Sequence, residues 1–160
     1  MTQPRFEHRP VDETFLREAP VRVVASAVIP CTADELFAAF RQPAFWKRWL
    51  VDKLDWTSPE PFGVGTTRTV KVGPLTADEY FFAWEEGRRF TFYLVRSTMP
   101  LFESLAEDYL VEPEGSGSCR FTWIMAVAPR GPALAHAPLQ HALRLHNQWA
   151  VNRMHKALGR

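Results

Sequence analysis

A chain of 160 residues with 46% hydrophobic and 23% charged side chains has the length and make-up of one globular domain with a real core. A net charge of +1 gives no electrostatic drive toward nucleic acid or an anionic membrane. No apolar run nears the roughly 20 residues of a membrane-spanning helix, so a cytoplasmic protein without nucleic-acid or membrane-inserted partners is expected.

Residues 1–20 hold Pro4, Pro10 and Pro20 and lack a sustained period. They read as an N-terminal extension with a helical turn near Glu13, ahead of a single domain over 21–160. VRVVASAVI, from Val21, is a β-branched strand stopped by Pro30. Thr32 followed by Glu35 then forms a capping-box pattern for a short helix to about Arg41. Pro43 opens a second helical piece, AFWKRWL, whose Phe45, Trp46 and Trp49 keep helical spacing.

From Lys53 onward the pattern is strand and turn: LDWTS, a PEPFGVG loop, TTRTVKV, the aromatic hairpin DEYFFAWEEGRRFTFYLVRS, a long segment over 101–111, a PEGSGS turn and CRFTWIMAV. Strict alternation in the hairpin sets Tyr80, Phe82 and Trp84 on one face, with Phe81 and Ala83 opposite. On the return strand it groups Phe90, Phe92, Leu94 and Arg96. Both faces carry large rings, so neither reads as a plain solvent face. After Pro132 the period turns helical, and Pro138 fits the first turn of one long helix ending near Leu158.

Strand, two short helices, six strands and a terminal helix make an α+β chain. The layout resembles the helix-grip fold of the START/Bet v 1-like superfamily, most closely its polyketide cyclase/dehydrase and lipid-transport branch. The residues carrying the resemblance are VVASAVIPCTADELFAAFRQPAFWKRW, GVGTTRTVKVGPLTADEYFFAWEEGRRFTF and LFESLAEDYLVEPEGSGSCRFTW. It implies a curved antiparallel seven-stranded sheet wrapped around the long C-terminal helix, with an apolar cavity between them. One aromatic face of the hairpin would then line that cavity, and the other would lie on the convex outside, covered by the extension with Phe6, Phe15 and Leu16 or by a second copy in a homodimer. It also implies that a small hydrophobic molecule, such as a lipid or a polyketide-like aromatic, is the partner. A polyketide cyclase, aromatase or dehydratase is the alternative, and a stress-response or protein-interaction module the third.

Ring and aliphatic positions nominated as cavity-lining are Trp46, Trp49, Trp56, Phe82, Trp84, Phe92, Leu94, Phe121 and Trp123. On the helix, the stripe at 100° per residue adds Leu139, Leu143, His146 and Ala150, with Trp149 and Arg153 at its edge. For proton transfer the candidates are His146, Arg96 and Glu107. A histidine titrates near neutrality, and a carboxylate turned into an apolar space has its pKa raised. Glu107 shares its face with Glu103 and Tyr109, and Asp108 lies opposite. Cys31 and Cys119 read as reduced, partly buried thiols. The chain has no HExxH, Cys/His cluster, GxSxG or phosphate-cradling glycine loop, so no metal or cofactor is expected.

Overall fold

A computed structural model describes residues 3–160. In the extension, strand β1 is Phe6–Glu7 and helix α1 is Glu13–Glu18, capped by Asp12, whose carboxylate accepts from the Thr14 and Phe15 amides. Strand β2 (Val21–Ile29) is followed by helices α2 (Ala33–Ala39) and α3 (Pro43–Trp49). Thr32 caps α2 by accepting from the Glu35 amide at 3.1 Å. The strands β3 (Lys53–Trp56), β4 (Thr67–Val72), β5 (Leu75–Glu85), β6 (Arg89–Ser97), β7 (Phe102–Pro113) and β8 (Cys119–Pro129) come next. A 3₁₀ turn at Ala133–Ala135 leads into α4 (His136–Asn152), and α5 (Met154–Ala157) ends the fold.

All strand pairs are antiparallel, in the order β2-β8-β7-β6-β5-β4-β3. Those are the seven strands anticipated. The eighth, β1, pairs with β6 off this path. Its position has a structural cause. The β6–β7 pairing ends at Tyr93 and Ala106, and beyond that point the two strands part. The extension fills the gap: His8 N donates to Val95 O and Arg9 N to Glu103 O, both at 2.9 Å. The buried His8 ring bonds Ser97 Oγ at 2.7 Å and Phe102 O at 3.0 Å, satisfying both lips of the split. Leu16 then seals the convex face over Ala106 and Ala126, beside Phe82 and Tyr93. Arg89 completes the strap by reaching both Glu13 and Asp108.

Two bulges in the β5–β6 hairpin change the alternation read from the sequence. Phe81 pairs with Phe92 and Ala83 with Thr91, which leaves Phe82 as the extra residue. Phe81 and Trp84 therefore both turn into the core, and Phe82 goes to the convex side. At Val95 a second bulge pairs Leu94 with Glu79 but Arg96 with Asp78. Arg96 consequently points outward and donates to Asp78 Oδ2 at 2.6 Å, while Ser97 is buried.

The terminal helix also departs from expectation. It is broken at Arg153, because Trp49 Nε1 donates to Ala150 O at 2.8 Å and Arg48 Nε to Ala157 O at 2.9 Å, holding the last turn against α3. Its rotation is set by the free edge of β2. Gln148 accepts from Ser26 N and donates to Ser26 O, and Gln140 accepts from Arg22 N. These glutamines pair edge groups that would otherwise lie open. They turn Asn147, Ala150 and Val151 inward, leave Ala142 exposed and move His146 to the margin. Among the described residues, no helix is long and apolar enough to cross a membrane.

Truncating the strap tests its contribution. Leu16→Ala should cost about 2–3 kcal/mol in chemical denaturation. A cost below about 0.5 kcal/mol would mean that this contact is ornamental.

Candidate functional site

Between the sheet and α4 lies a cavity of about 320 Å³. Val70, Leu94, Leu105 and Met125 make much of its apolar wall, and Trp46, Leu143 and His146 contribute from the helices. Of the positions nominated from the sequence, Trp46, Leu94, Glu107, Trp123, Leu143 and His146 come together here.

The other candidates lie elsewhere. Trp49 and Phe121 pack with Phe40 and Tyr109 in the core, and Trp56 stacks on Phe62 at 4.1 Å with its N–H on Arg41 O. Trp84 is held between Phe37 and Phe90. Ala150 is buried beneath the Trp49 indole, and Leu139 rests against the core beyond the chamber. Phe82 and Arg96 are on the convex face, for the bulge reasons given above. Arg153 stacks on the exposed Trp149 ring at 4.4 Å, and Asp108 binds Arg89 and Thr91 outside. Cys31 and Cys119 are both buried and free. Burial and the neighbouring Cys31 push the Cys119 thiol up to about 12, so it is inert as a nucleophile. Among the described residues, no three His, Cys, Asp or Glu side chains gather as a metal set.

The cavity's polar wall is a cluster that sequence reading caught only in part. Arg68 on β4 and Glu79 on β5 are directly cross-strand, and Arg68 Nε donates to Glu79 Oε2 in a very short contact. Only 2% of Arg68 and 5% of Glu79 is exposed. The guanidinium is boxed by four rings, with centroids at 4.4 Å for Trp46, 4.8 Å for Phe92, 5.0 Å for Phe81 and 5.4 Å for Trp56. Such faces stabilise a desolvated cation. Phe92 thus belongs to the Arg68 box rather than to the cavity wall.

Glu107, 9% exposed, stands opposite Phe92 on β6 and Met125 on β8. Its Oε2 accepts from Tyr109 OH at 3.3 Å. Two buried carboxyls therefore share one buried cation. Ionising both would leave an uncompensated charge in a low-dielectric space, which is costly. Burial, reinforced by the Glu79 charge, pushes the Glu107 carboxyl up to about 8. Burial raises Glu79 too, but its direct contact with Arg68 opposes that, so the proton resides on Glu107. Burial and the Glu107 charge lift the Tyr109 phenol well above its usual value, and it stays protonated. Trp123 Nε1 is felt at Glu107 but completes no hydrogen bond. Arg68 Nη1 likewise has no partner. At the cavity margin, His146 Nδ1 donates to Oδ1 of the fully buried Asn147 at 3.2 Å.

Against known proteins, the model of the family described as polyketide cyclase / dehydrase and lipid transport matches residues 20–158. The chain belongs to that family. An uncharacterized protein of Mycobacterium tuberculosis is 38% identical to this member over 123 residues, 75% of this chain and 73% of that one. Among solved structures, the Zhui aromatase/cyclase of a Streptomyces species superposes with a TM-score of 0.68 at 12% identity, covering 85% of this chain and 92% of that one. A ginseng major latex-like protein, from Panax ginseng, gives a TM-score of 0.65 at 17% identity over 83% and 93% of the two chains. At these identities the superpositions speak for the fold alone.

Within this polyketide cyclase/dehydrase and lipid transport member, Arg68 and Glu79 were not anticipated, although the pattern held a signal. Arg68 shares strand parity with Val70 and Val72, and Glu79 shares it with Ala77 and Phe81. Opposite charges on two otherwise apolar faces of neighbouring strands mark an internal pair.

The cluster has a sign-definite effect on stability. Glu107 titrates near 4.5 when unfolded and near 8 when folded. The folded state then binds more protons across that window, so stability falls as pH rises from 4.5 to 8. Thermal unfolding should show that decline, and Glu107→Gln should remove this component. An unaltered pH profile in the variant would contradict the buried proton.

Proposed function

We propose that the protein binds a small, largely apolar molecule in the cavity between the sheet and α4. The supporting observation is the cavity itself: about 320 Å³ of space faced by aliphatic and indole groups inside a core that elsewhere packs ring against ring. Native interiors keep few voids larger than a water, so a space of this size with an apolar lining suits a ligand. The volume sits at the small end of the roughly 300–1,000 Å³ typical of ligand pockets. It favours a compact ring system or a short chain over a long diacyl lipid. Burying such a body yields about 25 cal/mol per Å² of apolar surface, enough for retention without catalytic groups.

A second reading, a cyclase or dehydratase of polyketide-like substrates, draws on Glu107. A protonated carboxyl beside a fixed guanidinium is the equipment of a general acid, and His146 at the margin adds a second proton-carrying group. The Zhui protein is named an aromatase/cyclase, and this chain shares its fold. Binding requires fewer assumptions, because a filled cavity suffices for it.

Leu143 offers a direct test, since it meets the cavity from α4 without taking part in the polar cluster. Titration with N-phenyl-1-naphthylamine should give saturable fluorescence enhancement in the native protein. Leu143→Trp, which fills the space, should weaken it at least about tenfold, or 1.4 kcal/mol. Absence of saturable enhancement in the native protein would refute the binding reading. Turnover of an aromatisable poly-β-ketone, lost in Glu107→Gln, would promote the second reading over the first.

A further inference from the structure

The cavity wall holds more ionisable groups than its solvent-free state can keep charged. On β4 there is Arg68; on β5, Glu79; on β7, Glu107 and Tyr109; on α4, His146. The residues facing Glu107 from β6, β8 and α3 are Phe92, Met125 and Trp46, none of them ionisable. Arg68 is committed to Glu79. Glu107 has two neutral neighbours, the Tyr109 hydroxyl, which donates to Oε2, and the Trp123 indole N–H, which completes no hydrogen bond; its Oε1 makes none within the described residues.

We propose that this is a proton-coupled binding site for uncharged ligands: a guest that fills the cavity shuts Glu107 away from water, and the closed cluster is neutral only when Glu107 carries a proton. The inference rests on the binding reading above and adds its regulation and its ligand class. Without a guest Glu107 keeps 9% of its surface exposed, and water reaching it there stabilises any charge it bears. An apolar guest displaces that water and supplies no counter-charge. The ionised form is then penalised by desolvation, and binding draws one proton from solution whenever Glu107 starts out ionised. Since burial and Glu79 already hold Glu107 near 8, this uptake begins in the mildly alkaline range. A carboxylate-bearing guest would bring a third carboxyl to a cluster whose one guanidinium is already matched by Glu79, so it is disfavoured. A neutral guest with an acceptor oxygen instead meets a donor, the Glu107 carboxyl proton.

The experiment is a titration of N-phenyl-1-naphthylamine, uncharged throughout, between pH 6 and 9.5. Affinity should hold steady to about pH 7 and then fall, approaching tenfold per pH unit above 8. In Glu107→Gln it should no longer depend on alkaline pH. With the native protein, calorimetry at pH 9 in buffers of different ionisation enthalpy should register uptake approaching one proton per probe. In displacement assays at pH 8, 2-naphthalenemethanol should compete at least about tenfold better than 2-naphthoate. A probe that binds with pH-independent affinity and no proton uptake overturns the coupling while leaving the binding reading intact. Equal competition by the alcohol and the carboxylate overturns the preference for uncharged guests. Failure to bind at any pH overturns the binding reading and this inference with it.

Discussion

One guanidinium facing two carboxyls inside a largely apolar space sets the terms for the rest of this molecule. Arg68 needs Glu79 because an unpaired buried cation is among the costliest features a core can hold. It also needs the box formed by Trp46, Trp56, Phe81 and Phe92, whose faces replace part of the lost hydration. Glu107 then arrives as a surplus acid, made neutral by its surroundings. The aromatic richness of the hairpin follows from this arrangement. Its inward rings, Phe81 and Phe92, border a buried charge as much as they fill space.

Holding that cluster in register requires a sheet that bends without losing its phase. The bulges at Phe82 and Val95 supply curvature and, in doing so, export Phe82 and Arg96 to the convex surface. Curvature has a cost, since β6 and β7 part beyond Tyr93 and leave backbone groups without partners. The N-terminal strap closes that gap with main-chain bonds at His8 and Arg9 and with the His8 ring. At the opposite edge, Gln140 and Gln148 bind β2 and fix the rotation of α4. This rotation decides that Leu143 and Asn147 face the cavity and that His146 stands at its margin. Cavity and scaffold are thus coupled through particular hydrogen bonds at both ends of the sheet.

Fold class was legible in the sequence because its signals are local and redundant. Pro30 and Thr32 mark the strand-to-helix change, Pro43 the next helix start, and the glycine-containing turns separate the strands. Much of the site was not legible. Strand parity propagates from any single error, and a bulge carries no reliable mark in one sequence; Phe82 and Arg96 were misassigned for that reason. Helix phase failed more gently. Periodicity alone put His146 at the centre of the stripe, whereas Gln148 gripping Ser26, a contact between residues 122 positions apart, turned it toward the rim. Glu107 was within reach because it shares parity with Tyr109 on one strand. The Arg68–Glu79 pair demanded knowing that β4 and β5 are neighbours in the correct register, which sequence spacing does not supply.

The account's centre is the protonation of one side chain, and carbon-13 NMR of glutamate carboxyl groups observes it directly. With Glu107 assigned by its loss in Glu107→Gln, its carboxyl resonance should sit at the protonated position at pH 7 and move with a midpoint near 8. A resonance already at the ionised position at pH 7, with a midpoint near the ordinary 4.5, would contradict the account.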